Sequence, residues 1–115
     1  MAVTGFLTLT AGGAVLQLYG GTFEHVGSVT VTIPRPSQMN KNRMSVTSSV
    51  INLLSHKEEQ VGRPAAEKLA VALDLPVVCV AGIHVDGATD DELMLLTGYC
   101  EEVVQMLLQA ANIMD

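Results

Sequence analysis

The side chains best suited to chemistry in this 115-residue chain are His25, His56, His84 and, two residues beyond the last, Asp86. A His-x-Asp pair can supply two metal ligands, or an imidazole whose tautomer is fixed by a carboxylate. The same residues read as a turn, with Asp86 capping Asp86-Gly87 and His84 bonded to backbone. No two histidines have a recognisable ligand spacing. Ser45, Ser48, Ser49 and Ser55 surround His56 in sequence, but none lies in a G-x-S-x-G elbow. Cys79 falls in an apolar run, where burial keeps a thiol inert, and Cys100 in a helical pattern. Neither a metal site nor a nucleophilic centre is expected.

A stronger signal is the placement of positive charge. Arg35, Lys41, Arg43, Lys57, Arg63 and Lys68 are the only Lys and Arg residues, and against Glu58, Glu59 and Glu67 they give residues 35–68 a net charge of +3. The remainder carries nine acids and no Lys or Arg, so the whole chain stands at −6. An acidic protein that gathers its cations in one third of its length is suited to a small anion, since a polyanion meets repulsion from the rest of the surface. The plainer alternative is an exposed loop and helix turn, where charges normally lie. Ser55 to Lys57 open a predicted helix whose first N–H groups are unpaired, so a phosphate could dock there with Lys57. Arg35 joins it if strands three and four are neighbours. There is no P-loop and no G-x-G-x-x-G.

The elements that must position these groups follow from periodicity. Residues 5–10 alternate with Leu7 and Leu9 on one face, residues 14–19 with Ala14, Leu16 and Leu18, and residues 28–33 with Val29, Val31 and Ile33. Glycine-containing turns join these runs, which predicts three strands in an antiparallel meander with those apolar residues inward. Pro34 and Pro36 are expected to end the third strand, since proline cannot donate to a ladder. Residues 37–44 read as a mobile loop, and the β-branched run 45–53 as a fourth strand, with a helix as competitor. Ser55 and Glu58 form a capping box for a helix over about 56–74, bent near Pro64, with Val61, Ala65, Leu69, Ala72 and Leu73 inward. The apolar run 77–83 lacks alternation and predicts a central strand covered on both faces. Thr89 to Glu92 form a second capping box for a helix over about 90–111, striped by Leu93, Leu96, Cys100, Val103, Leu107 and Ala110. The order β-β-β-β-α-β-α is α+β: a mostly antiparallel sheet with two helices packed on it.

Length limits the chain to one domain, residues 1–115. Hydrophobic content is 49% with only four aromatic residues, and mean hydropathy is +0.38. That surplus of apolar surface on a small domain predicts self-association, most simply a homodimer through the wide stripe of the last helix. No apolar run is long enough for a membrane helix and no signal peptide is evident, so a cytoplasmic location is expected. Acidity argues against nucleic acid and anionic membrane as partners.

Three segments carry a family resemblance: H-V-G-S-V-x-V-x-x-P-R-P-S from His25 to Ser37, S-V-x-x-L-x-H-K-E from Ser49 to Glu58, and V-A-G-I-H-V-D from Val80 to Asp86. Together they resemble the small LpdD-type proteins, which accompany UbiD-type decarboxylases such as gallate decarboxylase and act as chaperones for the prenylated flavin cofactor. The resemblance spans roughly residues 5–110. It implies a non-catalytic protein that binds prenylated FMN (or FMN) and helps mature or load the decarboxylase large subunit, on a fold like that of proteasome assembly chaperones. It assigns cofactor binding to Arg35 and Ser37, to His56 and Lys57, and to His84 and Asp86. Pro64 is not a feature of the family, which leaves the Arg63 side of the site open. The chemistry agrees: Arg35, Lys57 and a helix start serve a phosphate, and Met39 and Met44 can line a cleft for the apolar ring.

Two alternatives remain at this stage. One is a cofactor-free assembly chaperone or scaffold, and the other a small lyase or isomerase using His84 with Asp86 and Lys57 as acid–base groups.

Overall fold

The structure, a computed structural model, describes residues 2–40, 42–53, 57–85 and 87–113, with backbone alone for 57–60, 112 and 113. Its elements run β1 (Val3–Leu9), β2 (Ala14–Gly21), β3 (Ser28–Pro36), β4 (Met44–Asn52), α1 (Lys57–Leu73), β5 (Val77–His84) and α2 (Asp90–Ile113). The α+β order is as the periodicity predicts, and the run 45–53 is a strand. The Ser55–Glu58 capping box lies outside the described residues.

The five strands form one sheet in the order β1-β2-β5-β3-β4, antiparallel at every junction except the parallel β2–β5 pair. The expected meander through β3 is therefore incorrect. β5 inserts between β2 and β3, a non-local pairing that local alternation does not encode.

Both helices pack on one face. α1 lies across β3, β4 and β5, and α2 lies against β1 and α1. The core between helices and sheet holds Ala14, Leu16 and Leu18 of β2, Val77, Cys79 and Ala81 of β5, Ala66, Leu69 and Ala70 of α1, and Val104 and Leu108 of α2. Small residues let the layers close up. A Cβ on Gly62 would stand 3.2 Å from the Ala81 Cβ, and one on Gly5 would strike Val103 of α2. The buried stripes are rotated slightly from expectation: α1 buries Ala66 and Ala70 but exposes Ala72, and α2 buries Val104, Leu108 and Ala111 but exposes Ala110. Pro64 lies within α1, which runs on past it to Leu73.

β3 is oriented opposite to expectation. Ser28, Thr30 and Thr32 are fully buried beneath α1, while Val31 and Ile33 point to the other face, 39% and 51% exposed. Alternation specifies which residues share a face, not which face is covered. The polar side is accommodated in part by a relay in which Thr32 Oγ1 lies 2.8 Å from Ser48 Oγ, and Ser48 Oγ donates to Glu67 Oε2 of α1 at 2.7 Å. β5 is likewise covered by helices on one face, not both.

Pro34 and Pro36 do not end β3, which continues paired to β4 as far as Pro36↔Met44. The Ser37 N–H donates to Arg43 O on the β4 side, so by alternation the nitrogens of Pro34 and Pro36 face the opposite side. β5 has already ended there, its last pairing being Thr32↔Val77, and no ladder donor is lost. Residues 33–47 thus project beyond β5 as a two-stranded ribbon.

Candidate functional site

The segments that carried the sequence signals H-V-G-S-V and G-I-H meet at the C-terminal end of β5. Gly21 has φ +81° and pairs with His84, whose backbone crowds it on the side where a Cβ would stand. The chain then turns across the outer face. The Thr22 N–H donates to His84 O at 2.7 Å, and Thr22 Oγ1 donates to the same oxygen at 3.1 Å. The His25 carbonyl occupies the place where a side chain on Gly82 would stand. Glycine at 82 is what admits the loop 22–27 to the sheet.

That close approach sets three rings together. Phe23 and His25 stack with centroids 5.5 Å apart and planes 15° from parallel. His25 meets His84 edge-on at 6.1 Å and 82°. His25 Nδ1 donates to the Phe23 carbonyl at 3.0 Å, a geometry that requires the proton on Nδ1. Phe23 is 62% exposed, so one face of the stack is open. The start of α1 lies at the same end of the sheet, because the Leu53 N–H donates to Gly27 O and α1 begins four residues later.

The remaining sequence-predicted residues divide. Arg35 is on the outer face of β3, its Nε donating to Thr47 Oγ1 at 2.8 Å and its Nη1 to Pro36 O at 3.3 Å. Ser37 shapes the hairpin tip, its Oγ accepting from the N–H groups of Met39 and Asn40 at 3.3 and 3.4 Å. The described residues of the 37–44 segment are therefore hydrogen-bonded to one another between paired strands. Lys57 is the first residue of α1, and its side chain, like His56 and Asp86, lies outside the described residues. Register places Arg35 and Lys57 apart: Ser28 pairs with Asn52 beside the helix start, and Arg35 is seven residues further along β3. At about 3.3 Å per residue that is roughly 23 Å. Within one chain the backbone of Arg35 is thus well separated from the first residue of α1. Met39 is 97% exposed at the hairpin tip and lines no cleft here.

Phe23 was not singled out from sequence, and His25 was considered for chemistry but not assigned to the cofactor site. The signal was present in the H-V-G-S-V segment, but the contact with His84 depends on β5 lying beside β3.

Burial pushes the Cys79 thiol up to about 12, with a further contribution from Cys100, and pushes Cys100 up to about 12, with a further contribution from Glu101. Both are free and buried, which removes them as nucleophiles. Among the described residues no group of His, Cys, Asp or Glu could hold a metal ion, and no helix is long and apolar enough to cross a membrane. A cleft of about 240 Å³ between α1 and α2, lined by Val61, Pro64, Lys68, Thr97, Cys100 and Glu101, lies on the helical side, away from the rings.

The fold and this corner define a class: a single α+β sheet with helices on one face and an exposed ring cluster where loop 22–27 crosses the end of β5. The chain belongs to the prenylated flavin chaperone LpdD-like domain family, whose model matches residues 1–112. No curated protein matches it.

Proposed function

We propose that the protein is a non-catalytic, cytoplasmic chaperone that binds prenylated FMN and passes it to a UbiD-type decarboxylase, acting as a homodimer. The observation that supports this reading most is the stacked Phe23–His25 pair with His84 at its edge. A flavin ring would lie against the stack, and Lys57 and His56, at the start of α1, would take its phosphate. Asp86, two residues past His84 in sequence, is kept in this reading on the family resemblance alone and lies outside the described residues. Arg35 and Ser37 lie at the other end of the sheet, so any part they take in binding is not beside His84 of the same chain.

The apolar outer face of the sheet favours a second reading, a cofactor-free assembly chaperone. Reconstitution separates the two. Apo-decarboxylase is mixed with limiting prenylated FMN, with and without the protein, and the rate at which activity appears is followed. A carrier raises that rate, and His84→Ala lowers the gain in a way that saturating cofactor restores. A gain that is unchanged by His84→Ala at limiting cofactor contradicts the carrier reading.

A further inference from the structure

The helical side of the molecule carries a trough that the described residues leave unfilled. The cleft of about 240 Å³ between α1 and α2 has Val61, Pro64 and Ala65 on one wall and Thr97, Cys100 and Val104 on the other. Thr97 and Glu101 also line a wider hollow of about 520 Å³, which continues along α2 past Gly98 to Met94, Leu93 and Asp90. From Leu93 to Val104 the combined trough follows three turns of helix, roughly 16 Å at about 1.5 Å per residue. Its one hydroxyl is satisfied within the helix, since Thr97 Oγ1 donates to Leu93 O at 2.9 Å. Met94 stands 73% exposed at the far end.

Gly98 is the point at which another backbone can come closest. Glycine inside a helix is destabilising relative to alanine, because it has more backbone freedom to lose. Gly62 of α1 has a reason within the chain, a Cβ there standing 3.2 Å from the Ala81 Cβ. Gly98 has no such neighbour: among the described residues, nothing beyond its own stretch of helix lies within 4 Å of the place its Cβ would take. It leaves a notch in the exposed face of α2 between Met94 and Glu101.

Charge at the rim selects the occupant. α2 carries Asp90, Asp91, Glu92, Glu101 and Glu102 and no Lys or Arg. Glu92 is engaged in the capping box with Thr89, whereas Asp90 and Glu101 line the trough itself. In a chain of net charge −6, this edge repels a second copy as it repels nucleic acid, and attracts a cationic surface. Lys68, on the α1 wall, places the one opposing charge on the other side. An extended peptide needs an open sheet edge to pair with, but a trough between two helices takes a third helix by its apolar stripe.

We infer that the trough docks a helix of the protein that accepts the cofactor, a helix apolar along one stripe and bearing Lys or Arg on the edge that meets α2. The identity of that protein rests on the carrier reading above; the notch and the rim charge do not. The ring cluster lies on the opposite side of the sheet, where loop 22–27 crosses Gly82, so docking leaves it uncovered.

The test uses the full chain and the apo-decarboxylase. Calorimetric titration at about 50 and 200 mM salt shows saturable binding that weakens at the higher salt. Gly98→Leu, which fills the notch, and Glu101→Lys, which reverses the rim, each weaken it about tenfold or more, with parental circular dichroism and parental uptake of prenylated FMN. Glu101→Lys, at an exposed position, serves alone if Gly98→Leu does not fold. Gly98→Ala raises the melting temperature by about 4 °C; one that fails to rise shows the notch constrained by the chain itself and overturns the inference. Parental binding by either folded variant, or binding indifferent to salt, overturns it as well. A parent that takes up flavin but does not bind the apo-decarboxylase overturns the docking site and leaves the flavin reading standing. A parent that docks through Gly98 and Glu101 but takes up no flavin does the reverse, and one that does neither overturns both. A change in sedimentation on Gly98→Leu puts a second copy in the trough and overturns the inference too.

Discussion

The carbonyl oxygen of His25 lies where the first side-chain carbon of any residue other than glycine at position 82 would stand. The ring cluster therefore depends on the absence of a single methyl group. Gly82→Ala must displace loop 22–27, because the obstructing atoms are backbone and not the end of a flexible side chain. The expected cost is about 1–3 kcal/mol in urea unfolding, with flavin affinity reduced as well because Phe23 and His25 move with the loop. Unchanged stability would show that the loop does not pack on Gly82 in solution.

Glu67 links α1 to β4 through the relay from Thr32 and Ser48. A carboxylate accepting a short hydroxyl bond contributes about 1.5–3 kcal/mol when partly shielded, and its loss leaves the Ser48 hydroxyl without its acceptor. Glu67→Ala is expected to destabilise by that amount in urea unfolding, and Glu67→Gln by less, since the amide oxygen can still accept. Equal losses for the two variants would argue against the hydrogen bond as the cause.

The buried thiols set an alkaline limit. Cys79 and Cys100 are raised by burial to about 12 from an ordinary value of 9.0. Above pH 9 the unfolded chain loses these protons while the folded one retains them, so stability falls as pH rises. The contribution is fully present below about pH 9 and disappears by about pH 12. Urea midpoints measured across this window are expected to decline less steeply for Cys100→Ala than for the parent. Parallel curves would show that other groups govern the alkaline loss.

Much of this architecture was legible because it is local. Thr89 and Glu92 form the reciprocal capping box read from sequence, the Glu92 N–H donating to Thr89 Oγ1 and the Thr89 N–H to Glu92 Oε1, both at 3.2 Å. The β-branched run before α1 is a strand for the reason its composition suggests. What sequence did not reveal is non-local. Val29, Val31 and Ile33 were correctly grouped on one face, but that the helices would cover the other face follows only once α1 closes on Ser28 through Gly62. Pro34 and Pro36 were read as terminators because the neighbour their nitrogens would have met was unknown. Arg35 and Lys57 were paired on adjacency of strands three and four, which is correct. Their separation is fixed by register along those strands, and no single segment encodes it.

Titration of the protein with prenylated FMN, followed in the visible absorption of the flavin, reads occupancy of the ring-cluster site. Saturable uptake with a spectral shift on stacking is expected, weakened about fivefold in His84→Ala, the equivalent of roughly 1 kcal/mol for one ring contact. Phe23→Ala is expected to weaken it at least as much. Absence of saturable uptake by the parent, or parental affinity in both variants, would contradict a flavin site at the end of β5.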